Sequence, residues 1–159
     1  MADWWLEGPN GSLYKAFFLP VSSGDLSAMK WTRNIIWRNE LDHPERNVFK
    51  LVDEKTEFIN GAISLSDKGD HIFIHLIEAA PRNRYGVFPP RPYINVARLM
   101  MAFAGKVSFD YGYEGFLALT PKTKLLRYYI KKYNAFLLPG RNVGIDGTVT
   151  SRLIGLYYR

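Results

Sequence analysis

Runs of apolar residues along the chain have the period and composition of strands in four places. The four segments are rich in β-branched and aromatic residues; they are Leu13 to Leu19, Val48 to Val52, Phe58 to Leu65 and His71 to Ile77. The polar links DEKT and SDKGD join the last three segments and contain turn-forming residues. Links of this length predict an antiparallel meander of three strands.

Apolar residues at helical spacing occur in the regions between and after these strands. A first helix is predicted after Pro20, with Ser22 or Ser23 as its N-cap. A second is predicted over residues 95–112, which are apolar on most faces, and Gly112 is suited to its C-terminal end. The remaining predicted elements are short strands over 114–120 and 134–138 and helices over Lys122 to Tyr133 and 147–159.

The resulting order of elements, β-α-βββ-α-β-α-β-α, predicts an α/β fold (α+β with a mixed sheet). The strand His71 to Ile77 and the strand Glu114 to Leu119 are joined through one helix, so we expect them to be parallel neighbours. The first turn of such a crossover helix has unpaired N–H groups at the positive end of the helix dipole. We therefore expect an anion-binding site where this helix begins.

Composition supports one globular domain over residues 1–159, since 47% of the residues are hydrophobic and 23% are charged. No run of about 18 apolar residues occurs, so no membrane span is expected. The first residues, MADWWLEGPNGS, lack the pattern of a secretory signal, and we expect a cytoplasmic protein. The chain has no cysteine, which excludes disulfides, thiolate metal sites and a cysteine nucleophile.

The net charge of +6 favours an anionic partner. Nucleic acid, an acidic peptide and a polyphosphate cofactor all satisfy this charge. The 10 tyrosines and 10 phenylalanines could stack on bases, but no nucleic-acid-binding motif is present and most of the aromatics fall at core-like periodicities. A nucleic-acid partner is therefore not favoured, although the charge alone does not exclude it.

One carboxylate, Glu78, follows directly after an apolar strand, which makes it a candidate for a functional site. A carboxylate in a cleft can act as a general base. The alternative is an ion pair with Arg82 or Arg84 on the surface. The residues themselves leave both interpretations open.

His71 and His75 alternate on one face of a predicted strand. Neither has a cysteine or acidic residue at the spacing of metal ligands, so cross-strand packing is favoured. No metal site is expected.

The segments RPYINVARL and YEGFLALTPKTKLLRYYIKKYNAFLL, in this order after the meander, resemble the GNAT superfamily of N-acyltransferases. The resemblance covers nearly the whole chain. It implies a twisted mixed sheet in which two parallel central strands splay apart to admit the pantetheine arm of acetyl-coenzyme A. The family's pyrophosphate loop usually reads (Arg/Gln)-x-x-Gly-x-(Gly/Ala). Here Arg91 is matched to the first position, Asn95 to the first glycine and Ala97 to the second, with one residue more between Arg91 and Asn95 than the motif has.

Asparagine readily replaces glycine at positive φ, so the resemblance implies that Asn95 has such a backbone. The coenzyme-binding residues that it implies are Ile77, Arg91, Ile94, Asn95, Val96, Ala97, Arg98 and Lys122. A proline-rich insertion, Val87 to Pro92, lengthens the loop before the helix. It either shapes the substrate site or marks a pyrophosphate site that has degenerated.

The resemblance also implies roles in catalysis. Glu78 would be the base, and Tyr129, on the apolar stripe of its helix, would protonate the leaving thiolate; Tyr128 and Tyr133 are the other candidates. Core packing of both Trp31 and Trp37 is the favoured interpretation, and the alternative is that one of them lines the acceptor groove.

The implied activity is transfer of an acyl group from acetyl-coenzyme A to a primary amine in a ternary complex, because no cysteine is present to carry it. The alternatives are a GNAT-fold module that does not catalyse transfer and a basic nucleic-acid-binding module. A homodimer is compatible with the resemblance.

Overall fold

The structure is a computed structural model that describes residues 1–86 and 90–159. These residues form one eight-stranded sheet and four α-helices. The strands are β1 (Trp4–Glu7), β2 (Leu13–Pro20), β3 (Asn47–Asp53), β4 (Ile59–Asp67), β5 (Ile72–Ala79), β6 (Leu117–Leu119), β7 (Phe136–Leu137) and β8 (Val143–Ile145). The α-helices are α1 (Trp37–Leu41), α2 (Val96–Asp110), α3 (Leu126–Tyr133) and α4 (Gly147–Tyr157). Short 3-10 helices cover Ser23–Met29, Pro81–Asn83, Thr123–Leu125 and Pro139–Arg141.

The strands follow one another in the order β1-β2-β3-β4-β5-β6-β8-β7. β5 and β6 are parallel, and every other neighbouring pair is antiparallel. The predicted meander, β3 to β5, is thus confirmed, and so is the parallel pair joined through α2. No helix in the described part of the chain is long and apolar enough to cross a membrane.

The parallel strands β5 and β6 are paired over only part of the length of β5. Leu117 to Leu119 of β6 lie opposite Ile72 to Ile74, whereas β5 continues to Ala79. β6 then ends, and Pro121 follows shortly after it. The second half of β5 therefore borders an opening, which we call the β5–β6 gap.

A β-bulge changes the facing of residues along β5. The register between β4 and β5 shifts between Ser64 and Leu65, which leaves His75 as the extra residue. Before the bulge, Ile74 packs in the core beneath α2. After it, Glu78 faces the other side of the sheet, where α1 lies. The bulge thereby turns the only acidic residue of β5 away from the main core.

The two faces of the sheet are covered unequally. α2 and α4 pack on one face, where Gly105 allows close approach, because a Cβ atom there would lie 2.6 Å from Cβ of Thr150. The other face carries a smaller cluster beneath α1 and the first 3-10 helix, with Met29 and Trp37 buried in it. The main core therefore supports α2 from its first turn to its last.

α2 ends as the sequence predicts. Gly112 has a φ of +83°, and its N–H donates to the carbonyl of Phe109 at 3.0 Å. The N–H of Tyr113 donates to the carbonyl of Ser108 at 2.9 Å. These two bonds form the Schellman motif, for which glycine is preferred.

Several predicted elements differ in the structure. The strands β1 and β8, of four and three residues, were not predicted because such short segments give little periodic signal. The prediction of one continuous helix after Pro20 is wrong: a 3-10 helix, which follows Ser22, and the separate α1 take its place. The residues between them include tryptophan, threonine and two isoleucines, which have only moderate helix propensity.

Candidate active site

The backbone of β5 offers hydrogen-bonding groups to the β5–β6 gap. The N–H of Ala80 donates to the carbonyl of Asn60 at 2.9 Å, so even-numbered residues at this end of the strand pair with β4. In an antiparallel ladder the alternate residues, Ile77 and Ala79, direct their N–H and C=O groups away from that partner. Accordingly, Nε of Arg84 donates to the carbonyl of Ala79 at 3.1 Å. Ile77, predicted to bind a coenzyme, thus presents its backbone to the gap.

A cavity of about 410 Å³, which we call the α2 cavity, lies where α2 begins. Its described lining contains four cationic side chains and no acidic one; the cations are Arg84, Arg91, Arg98 and Lys132. The first turn of α2 contributes Val96 and Ala97, and no side chain caps this helix end. Unpaired N–H groups, the helix dipole and the surrounding cations together favour a multiply charged anion.

Five of the predicted coenzyme-binding residues line the α2 cavity: Arg91, Ile94, Val96, Ala97 and Arg98. Lys122 does not. Its side chain is exposed, and the residue occupies the N-cap position of the 3-10 helix Thr123–Leu125. Lys132, which the sequence did not single out, lines the cavity with Tyr128, one helical turn before it.

The prediction of a positive φ at Asn95 is wrong. This residue has a φ of −117°, so it does not adopt the left-handed conformation. Its side chain is buried and binds β1: Oδ1 accepts from the N–H of Glu7 at 2.8 Å, and Nδ2 donates to the carbonyl of Trp5 at 3.1 Å. Asn95 therefore attaches the start of α2 to the edge strand, and its side chain is not directed at a ligand.

Part of the predicted insertion, Val87 to Pro92, falls outside the described residues, namely positions 87–89. Buried polar side chains hold the described residues on either side of it. Nδ2 of Asn83 donates to Oδ1 of Asn60 at 3.0 Å, and Oδ1 of Asn83 accepts from the N–H of Tyr93 at 3.2 Å. The entry and exit of the loop are thereby joined to each other and to β4.

The hydroxyl of Tyr93 extends this network to β3, where it donates to Asp53. Asp53 is only 1% exposed and also accepts from the N–H of Thr56 at 2.8 Å. Burial acts to raise the pKa of Asp53, but the hydrogen bonds from Thr56 and Tyr93 outweigh it and hold this pKa below its usual value. Burial and the Asp53 hydrogen bond raise the pKa of Tyr93, which stays protonated.

Glu78 is 7% exposed, and three donors hold its carboxylate. Oε1 accepts from Nε1 of Trp37 at 2.8 Å; Oε2 accepts from Nη2 of Arg84 at 3.0 Å and from the hydroxyl of Thr32. The ion pair foreseen as an alternative thus forms with Arg84, although it is buried on the Glu78 side and not on the surface. Arg82 instead donates to Asn60.

A second cavity of about 400 Å³, the α1 cavity, opens on the α1 side of the sheet. Thr32 and Trp37 contribute to its lining, while Arg84 lines the α2 cavity. Nη2 of Arg84 donates to Oγ1 of Thr32 at 3.1 Å. The cluster of Glu78, Thr32 and Arg84 therefore lies between the two cavities and touches both.

The three candidate tyrosines have different surroundings. Tyr128 is 47% exposed and lines the α2 cavity. Tyr129 is 9% exposed and packs in the core beside Tyr133, with ring centroids 5.9 Å apart. Burial raises the pKa of Tyr129 and, more strongly, that of Tyr133, so both hydroxyls remain protonated at neutral pH.

No protein-family model matches the sequence, and no curated protein is similar to it in sequence. Solved structures, by contrast, match the fold. An acetyltransferase of the GNAT family from Staphylococcus aureus Mu50 is 8% identical, with a TM-score of 0.57 over 83% of this chain and 99% of its own. A GNAT family acetyltransferase from Elizabethkingia anophelis with acetyl-CoA bound is 11% identical, with a TM-score of 0.52 over 82% and 97%. A chimera of the spermidine N-acetyltransferase SpeG from Vibrio cholerae is 13% identical, with a TM-score of 0.55 over 87% and 98%.

These structures define the class of the fold. The chain has the single-sheet α/β architecture of the GNAT acetyltransferases, and the fold predicted from the sequence is confirmed.

Proposed function

We propose that the protein is an N-acyltransferase that moves an acetyl or acyl group from acetyl-coenzyme A to a primary amine within a ternary complex. The observation that carries this proposal is the junction of three features: the β5–β6 gap, the cationic α2 cavity and the buried carboxylate of Glu78. A GNAT structure with a similar fold holds acetyl-CoA, which supports the same coenzyme here.

In this proposal the pyrophosphate binds at the start of α2, to the N–H groups of the first turn and to Arg91 and Arg98. The pantetheine arm runs into the β5–β6 gap, where the backbone of Ile77 can pair with its amides. Lys132 and Arg84 add positive charge along the same path.

The amine would enter from the α1 cavity and attack the thioester carbonyl. A C–N bond forms, the C–S bond breaks, and the amine must lose a proton. Thr32 lines the α1 cavity, and its hydroxyl donates a hydrogen bond to Glu78. The Thr32 oxygen can therefore accept the proton of the amine while the Thr32 hydroxyl proton passes to the carboxylate. Glu78 is then the final base, and Thr32 connects it to the amine.

The departing thiolate needs a proton, and Tyr129 remains our candidate for its source. Burial raises its pKa, so its hydroxyl is protonated, and the residue is buried in the main core. Tyr128 is the alternative, because it already lines the α2 cavity. Replacing each tyrosine by phenylalanine distinguishes the two candidates. Loss of the true proton donor should lower turnover while the affinity for the coenzyme stays nearly constant.

Titration calorimetry tests the proposal. Acetyl-coenzyme A should bind and 3′,5′-ADP should compete with it, and a ligand at 100 times its dissociation constant should add about 2.7 kcal/mol to the free energy of unfolding. No heat and no thermal shift at millimolar coenzyme would refute it. Binding without acetylation of any amine would indicate a non-catalytic module, and a thermal shift with a single-stranded oligonucleotide alone would indicate a nucleic-acid-binding one.

A further inference from the structure

The α1 cavity combines an apolar floor with a positively charged rim. Five of its lining residues are hydrophobic: Leu26, Met29, Ile35, Ile36 and Trp37. Met29 and Trp37 are buried in the cluster beneath it, so the floor is fixed in place. Such a surface favours an apolar ligand group, because burying that group removes its surface from water.

The charged residues of the same cavity are Lys30, Arg33 and Arg38, and all three are exposed. Arg38 has a partner, Asp42, at 3.7 Å. Lys30 and Arg33 form no ion pair within residues 1–86 and 90–159. Two cations at the cavity mouth are therefore uncompensated.

The carboxylates nearest in sequence to Lys30 and Arg33 do not neutralise these two cations. Asp25 pairs with Lys50 at 2.9 Å, and Glu40 pairs with Arg46 at 2.9 Å. Glu78, which accepts hydrogen bonds from the lining residues Thr32 and Trp37, is already paired with Arg84. A polycationic amine would thus meet positive charge at the mouth of the cavity and no free acid among its described lining residues.

We infer that the acceptor is an apolar primary amine that also carries an anionic group, and specifically an apolar α-amino acid with its carboxylate free. Its side chain would lie on the hydrophobic floor, its amine would approach Thr32, and its carboxylate would face Lys30 and Arg33. This inference rests on the proposed function and adds the substrate class to it. It excludes spermidine-like substrates.

The test compares leucine, methionine, phenylalanine and tryptophan with their amides and with spermidine. Each amide keeps the side chain and the amine but loses the negative charge. Because the chain has no cysteine, a thiol reagent reports only the coenzyme A released. At least one acid should be acetylated with a kcat/KM roughly tenfold or more above that of its amide, and this ratio should fall as salt screens the charges.

The chemistry of the amines biases this comparison against the inference. A neighbouring carboxylate favours the protonated ammonium, so the acid has less free amine at neutral pH than the amide. A preference for the acid therefore reflects recognition by the protein.

Charge reversal in the double variant Lys30→Glu/Arg33→Glu should remove or invert the preference. The matched control, Lys68→Glu/Arg152→Glu, reverses the same two charges at exposed residues that line neither cavity and should keep the preference. If acetyl-coenzyme A binds but spermidine or the amides are the better substrates, or no amino acid is acetylated, the inference is overturned while coenzyme binding stands. If the coenzyme itself does not bind, the proposed function fails first.

Discussion

The two cavities beside β5 are held in different ways. Around the α2 cavity, Asn60, Asn83 and Asn95 are buried, and their side chains bind backbone groups or one another. Around the α1 cavity, the wall is a 3-10 helix and a five-residue helix, and Thr32 and Trp37 are both held by the carboxylate of Glu78. One wall rests on residues that need not touch substrate. The other rests on the candidate base.

At the α1 cavity, the candidate catalytic residue also holds the cavity wall in place, whereas at the α2 cavity other residues do so. Substitutions at the α2 cavity can remove a ligand contact and leave the fold intact, because two of the three anchors, Asn60 and Asn95, do not line the cavity. Substitution of Glu78 should act on the proposed reaction and on the wall of the α1 cavity together. The following experiments test that contrast.

The largest effect is expected for Glu78→Gln. If Glu78 is the base, turnover should fall about 100-fold to 10,000-fold while coenzyme affinity changes little. The amide also leaves Arg84 without its counter-charge, so the melting temperature should fall as well. Turnover per folded molecule and melting curves, measured on the same samples, separate the two effects.

Two further variants sharpen the result. Thr32→Val should lower turnover and Thr32→Ser should largely restore it, because serine keeps the hydroxyl that donates to Glu78. In Glu78→Gln/Arg84→Met, stability should recover but turnover should not. Equal turnover per folded molecule in wild type and Glu78→Gln would show that the carboxylate is purely structural.

Ala97→Glu should weaken acetyl-coenzyme A binding about 100-fold or more, because it places a bulky negative charge at the positive end of α2. Stability should change little, since Ala97 is exposed. Ser151→Glu, an equal charge change at an exposed position of α4, is the control for calorimetry. A folded Ala97→Glu protein with wild-type affinity would mean that the pyrophosphate lies elsewhere.

Tyr93→Phe should lower the free energy of unfolding by about 1–3 kcal/mol, because it leaves buried Asp53 with one donor fewer. It should also weaken coenzyme binding, since the Tyr93 hydroxyl, through its bond to Asp53, attaches the end of the loop before α2 to β3. Tyr111→Phe makes the same chemical change at an exposed site and should do neither. Denaturant titration compares them, and identical midpoints would contradict the anchoring role.

The smallest effect concerns pH and the α1 side of the sheet. Burial, followed by the charge of Arg46, lowers the pKa of His75 from 6.5 to about 4. The unfolded chain therefore takes up this proton first, and stability should fall as the pH drops from about 6.5 toward 4. His75→Gln should remove that part of the pH dependence in unfolding experiments, whereas an unchanged slope would show that other groups cause it.

The sequence predicted the features that depend on element order and missed those that depend on tertiary contacts. The meander and the parallel crossover follow from short links and one intervening helix. The error at Asn95 follows from the missed strand β1: without that edge, its amide has no visible partner, and a ligand-binding backbone was the natural expectation. Thr32 reaches Glu78 across 46 positions, and no local pattern indicates such a contact.

The β5–β6 gap has a further consequence for solubility. Beyond the end of β6, the second half of β5 has no neighbouring strand on that side. Another extended chain could pair with the main-chain groups that are left there. Arg84 donates to the carbonyl of Ala79 and places a positive charge beside this edge. Charged side chains commonly protect the edge strands of natural sheets in this way. A coenzyme arm lying in the gap would protect the groups of Ile77 that Arg84 does not reach, and so would act against self-association as well as in catalysis.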